Sequence, residues 1–145
     1  MTESTLQGGG IRTETDTMGD ITVPSDAYYG AQTQRAIENF HVSDLKIPFP
    51  IIKALGIIKQ SAAVVNFSLG NLEKNIKDAI VKASSEVIKG NLNNQFLVDV
   101  FQTGSGTSTN MNVNEVIANR ASVILGGKIG ERKPVHPNDH VNYGQ

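Results

Sequence analysis

QTGSGTSTNMNVNE, residues 102–115, begins as a loop and ends as a helix. Gly104 and Gly106 flank Ser105, so the backbone there can turn tightly or approach another molecule closely. Thr107, Ser108 and Thr109 each carry a hydroxyl able to cap the turn that follows. From Met111 the apolar residues fall at Met111, Val113, Val116, Ile117, Ala121, Ile124 and Leu125, close to a helical period. The spacing predicts a Gly-rich loop feeding a buried helix that stops at Gly126-Gly127. Free amides, hydroxyls and the positive end of a helix dipole make a ready site for an anion.

The helix head is crowded with amides. Asn110, Asn112, Asn114 and Asn119 lie in or near its first turns, and Asn is a mediocre helix former. Asn110 and Asn114 share a face. Buried amides cost free energy unless paired, which points to a polar constellation fixing a ligand or a neighbouring loop. On spacing alone a plain loop with Asn caps accounts for the stretch equally well.

Composition narrows the classes. A chain of 145 residues is read as one domain, and 39% hydrophobic residues suffice for a modest core. The net charge of −1 speaks against a general nucleic-acid or membrane surface. The absence of Cys excludes disulfides, thiolate nucleophiles, Cys-based zinc sites and Cys-ligated iron–sulfur clusters. No apolar run approaches transmembrane length and the N-terminus lacks the apolar core of a secretory signal, so a cytoplasmic location is expected.

Residues 1–10 are polar, end in three glycines and are expected to be disordered. The domain proper is taken as residues 11–145. Ile11 to Pro24 alternates loosely and predicts a short β-hairpin, with Gly19-Asp20 as its turn. A polar helical segment follows from about Ala27 to Phe40. After two prolines, Ile51, Leu55, Ile58, Ala62, Val65 and Leu69 recur at alternating intervals of four and three and predict the apolar face of a helix. Gly70 is its expected stop. Ile76, Ile80, Ala83 and Val87 give the next helix its inner face, and Gly90 ends it. Gln95 to Val100 is a short apolar run, strand or helix, delivering the chain to the loop. The total is a mainly α domain with a β-hairpin near its N-terminus.

A second polar site follows Gly130. Pro137 fits the first position of a short helix, His136 its cap and Asp139 its first turn. His136 and His140 are four apart, an invitation to a metal reading. Pro137 and Asn138 are not ligands and no Glu is placed as a base, so no metal is assigned. His41 receives no role.

Four segments together resemble the N-terminal part of class II fumarate hydratases, in the fumarase/aspartase superfamily. They are DTMGDITVP, YYGAQTQRAIENF, QTGSGTSTNMNVNEVIANRA and HPNDHVN, within residues 12–145. Ser105 and His136 favour this family over the aspartate ammonia-lyases, which look like Gly-Ala-Gly-Thr and Asn-Pro-Asn-Asp at these places. An aspartate ammonia-lyase, another superfamily lyase, or a non-catalytic association module are the alternatives.

The resemblance implies the superfamily's small N-terminal domain, with its central helical bundle absent from this sequence. It implies reversible hydration of fumarate to (S)-malate without a metal or other cofactor. A base removes a C3 proton, and the charge passes into the neighbouring carboxylate. Ser105 and Thr107, with the amide of Gly106, would bind a substrate carboxylate, with Asn110 close by. His136, Pro137, Asn138 and Asp139 would form a second dicarboxylate site at the mouth of the pocket, with Arg132 or Lys133 as candidates to assist. No residue here is a credible catalytic base, so the chain alone is expected to be inactive. The expected partner is a small dicarboxylate, with neither nucleic acid nor membrane, and the full-length protein is expected to be a homotetramer.

Overall fold

The structure, a computed structural model, describes residues 9–145. The expected disordered tail thus lies outside the described residues up to residue 8. Gly10 is already fixed, its carbonyl accepting the N–H of Ser25 at 2.9 Å.

The hairpin forms from β1 (Ile11–Asp16) and β2 (Gly19–Pro24), paired antiparallel with Asp16 opposite Gly19. Its turn is Thr17-Met18, two residues earlier than expected. Asp16 Oδ1 accepts the N–H of Met18 at 2.8 Å, and this side-chain turn fixes the reversal before Gly19. Ile21 and Val23 point into the core.

Helix α1 (Ala31–Asn39) starts four residues later than the pattern suggested. Gly30 precedes it, and a Cβ there would lie 2.8 Å from Glu14 Oε2 and 3.1 Å from Glu115 Cδ. The two carboxylates take up the start of the helix and set where it can begin.

Helices α2 (Phe49–Ser68) and α3 (Lys74–Ile88) form a hairpin through Gly70, which has φ +79°. On α3 the expected face is the buried one: Ile76, Ile80, Ala83 and Val87. On α2 it is not. The buried positions are Ile52, Gly56, Lys59, Ala63 and Asn66, whereas Ile51, Ile58, Val65 and Leu69 are half or more exposed. The period is right and the phase is one residue off. Gly56 and Ala63 let α2 approach α3 closely, and a Cβ on Gly56 would already sit 3.1 Å from Ile88 Cγ1. Close approach of small residues has outweighed burial of the larger ones in setting the contact face. Helix α2 is also long and apolar enough, by length and composition, to cross a membrane, contrary to the sequence expectation, yet the described chain packs it against α3 and α4 around a buried lysine.

A 3-10 turn (Asn93–Gln95) and an extended run follow, with Asp99 bridging to Lys46. Helix α4 (Thr107–Ile124) is the central element, buried at nearly every position from Thr109 to Asn119. Gly126, φ +85°, stops it as the sequence suggested. A short π-helical turn (Pro137–Val141) closes against α4.

Candidate functional site

The loop before α4 is held from both sides. Asp99 is buried, and its carboxylate accepts the N–H groups of Val42, Ser43 and Phe101. Gln102 folds back over the helix head, its Oε1 accepting the N–H of Thr109 at 3.0 Å. Its Nε2 donates to Thr109 Oγ1 at 2.8 Å and to the Asp99 carbonyl at 3.0 Å. Gln102 therefore does the capping that the sequence offered to Thr107, Ser108 or Thr109. The residue at the cap position itself is Gly106, in the left-handed region at φ +70°, which a glycine adopts without strain.

This leaves a head with spare donors. Gly106 N–H is used, donating to the Thr103 carbonyl at 3.0 Å. Among the described residues, the amides of Ser105, Thr107 and Ser108 have no hydrogen-bond partner in the chain. The first turn of α4 carries no acidic residue. Ser105 and Thr107 are both exposed. A cleft of about 530 Å³ opens here, lined by Ser105, Gly106, Thr109 and Asn110 on one side and by Ile51 and Leu55 of α2 on the other. Thr107 is next to this cleft in sequence but not among its lining residues. Unpaired amides at a helix N-terminus favour an anion by hydrogen bonding and by dipole.

The amides of α4 divide by role. Asn112 donates to the Gln95 carbonyl at 3.0 Å, and Asn119 donates to the Tyr28 carbonyl at 2.7 Å and accepts from Gly130 N–H at 2.8 Å. These two fix neighbouring loops. Asn114 is fully buried, with Oδ1 unpaired among the described residues. Asn110 alone reaches the cleft.

Beneath Asn110 lies a group the sequence reading missed. Lys59 Nζ donates to Asn110 Oδ1 at 2.8 Å, Asn142 Oδ1 at 3.0 Å and Gln145 Oε1 at 3.0 Å. Burial pulls its pKa down to about 8. A Lys inside an apolar helix pattern reads as a solvated surface residue, and only its place on the Gly56–Ala63 face reveals otherwise.

The second site has the predicted local form. His136 caps the π-helical turn, its Nδ1 accepting the N–H of Asn138 at 3.2 Å and of Asp139 at 3.1 Å. Asp139 Oδ2 lies 3.4 Å from the same nitrogen. With Nδ1 accepting two N–H bonds, the ring proton belongs on Nε2, and that contact is not an ion pair. Pro137 is buried, whereas Asn138 and Asp139 are exposed. His140 is oriented by the His136 backbone, its Nδ1 accepting the N–H of His136 at 2.9 Å. Arg132, at φ +54°, lies by Pro137 beside Glu14 and Glu115, and Lys133 is exposed. The two sites are joined, because Asn142, one residue past the π-helical turn, reaches both Lys59 and Asn110.

Comparison with known proteins bears on this geometry. A family model described as a lyase matches residues 19–145. A class II fumarate hydratase of Halobacterium salinarum is 60% identical over 134 residues, 92% of this chain and 28% of that protein. The Brucella suis class II fumarate hydratase is 54% identical over 134 residues, again 92% of this chain and 29% of that protein. A solved Brucella melitensis structure described as fumarate lyase:delta crystallin superimposes with a TM-score of 0.91 at 48% identity, covering 94% of this chain and 32% of the other. The chain therefore spans less than a third of the length of these relatives.

Proposed function

From the fact that this chain belongs to the lyase family matched over residues 19–145, we propose that it is the N-terminal domain of a fumarate hydratase, acting in reversible hydration of fumarate to (S)-malate. The unpaired amides of Ser105, Thr107 and Ser108, with the Ser105 and Thr107 hydroxyls and Asn110, bind one substrate carboxylate, while the Gly106 amide, expected to share in this, is instead held by the Thr103 carbonyl. They are preorganised donors aimed where charge grows when the C3 proton leaves. His136, Pro137, Asn138 and Asp139 form a second dicarboxylate site. The base and the rest of the pocket come from sequence beyond this chain, in a cytoplasmic homotetramer.

The observation that carries the reading is the set of unpaired amides at Ser105, Thr107 and Ser108, at a helix head without an acidic residue and above a buried ammonium. Loss of fumarate absorbance tests it. The 145-residue chain alone is expected to show no turnover, and turnover abolished by Ser105→Ala would overturn that expectation. In the full-length hydratase containing this chain, Ser105→Ala and Thr107→Ala should each lower kcat/KM by about 10²-fold, the usual cost of one such donor. An unchanged rate with fumarate in both variants would remove the loop from the active site.

A further inference from the structure

Lys59 lies mid-helix on the packed face of α2 and is 2% exposed. A buried ammonium is retained at a cost, and an apolar residue of the same length would pack there more favourably unless the charge has a use. Its three partners are all neutral: Asn110 Oδ1 from α4, and Asn142 Oδ1 and Gln145 Oε1 from the segment after the π-helical turn. Burial is what moves its pKa, with no charged neighbour contributing. The ammonium is thus fully hydrogen-bonded but electrically unbalanced.

A lysine has three N–H bonds, and all three are spent on these amides. Lys59 therefore has none left for a ligand, and anything it does for the cleft is done through Asn110. Because an ammonium only donates, it fixes which end of the Asn110 amide faces it, namely Oδ1. The opposite end, Nδ2, has two N–H bonds. One goes to Asn142 Oδ1 at 3.2 Å, and the other has no partner among the described residues. Asn110 lines the cleft together with Ser105 and Gly106.

Resting on the carboxylate-site reading above, we propose that Lys59 is a positioning residue. Its ammonium locks the Asn110 amide with an N–H turned to the cleft, and its unbalanced charge is neutralised by the carboxylate that binds there. Asn142 ties the same ammonium to the His136–Asp139 segment, so the two sites share one charged pivot.

The test is Lys59→Met in the full-length hydratase, with Ser105→Ala measured beside it. Because the bound carboxylate is charged in the ground state and gains charge in the transition state, the lost ammonium should raise KM for fumarate about tenfold or more and lower kcat as well. A lysine with a merely structural role would reduce the amount of active enzyme, lowering apparent kcat at unchanged KM. That result, or no change at all, overturns the proposal. A second measurement needs no variant. The groups facing Lys59 from α4 and from the C-terminal segment are neutral amides, and fumarate does not titrate near neutral pH. KM of the wild-type enzyme should therefore rise as pH is raised through about 8, and a flat KM across that range overturns the proposal even if Lys59→Met fails to fold. An unaltered KM in Lys59→Met beside an impaired Ser105→Ala sinks only the role of Lys59. An unimpaired Ser105→Ala sinks the carboxylate site itself.

Discussion

Glu115, on α4, accepts the N–H of Gly30 at 2.7 Å and so caps a helix that begins far upstream in the chain. The same carboxylate takes the N–H groups of Gln32 and Thr33 at 2.9 and 3.1 Å, while Glu14 takes that of Ala31 at 2.9 Å. The four free amides of α1 are thus satisfied by two carboxylates from elsewhere, and α1 has no cap of its own. Burial pushes the Glu115 carboxyl above the usual range, and the three N–H donors work against that shift.

Glu115→Ala would leave the buried N–H groups of Gly30 and Thr33 without partners, each worth about 1–3 kcal/mol, and free the part-buried one of Gln32 to water. The variant should lose at least about 2 kcal/mol in urea unfolding, and Glu115→Gln, which keeps an acceptor, should lose less. A loss below about 1 kcal/mol for the alanine variant would mean that α1 is held by something else.

Protonation of His140 gives a signed expectation. Burial holds this imidazole below its ordinary value. Its Nδ1 accepts the His136 N–H at 2.9 Å, and a proton on that nitrogen would break the bond. The folded value lies below the unfolded value of about 6.5, so the stability this group confers is present above that pH and is lost as pH falls through the folded value. Unfolding free energies measured down from neutral pH should fall more steeply for wild type than for His140→Asn, whose carbonyl can still accept. Parallel curves below about pH 6.5 would exclude His140 as the titrating group.

The phase of α2 can be read by two substitutions. Ile52 is 2% exposed and Ile58 is 52% exposed. Ile52→Ala should cost about 2–4 kcal/mol of the chain's stability, the range for a truncated core side chain. Ile58→Ala should change it by no more than about 0.5 kcal/mol. The reverse order, measured by urea unfolding, would restore the face the spacing first suggested.

Much was legible in the chain itself. The hairpin, the inner face of α3, the stop at Gly126 and the His136 cap all follow from side chains acting on backbone within a few residues of themselves. The candidate loop was legible for the same reason, since paired glycines and small hydroxyls announce a turn and free amides without any distant partner.

What the sequence by itself determined is therefore local: which segments are helical, where they stop, and where a helix head lies bare. Tertiary packing decided which face of α2 is inside, that Gln102 caps α4, that Glu115 caps α1, and that Lys59 is a buried charge beneath Asn110. Each of these depends on close approach between helices or on partners brought together from distant parts of the chain. Periodicity records how apolar residues repeat along one helix. It does not contain the distance to the next helix, and that distance sets whether a glycine or an isoleucine faces inward and whether a lysine finds water or three amides.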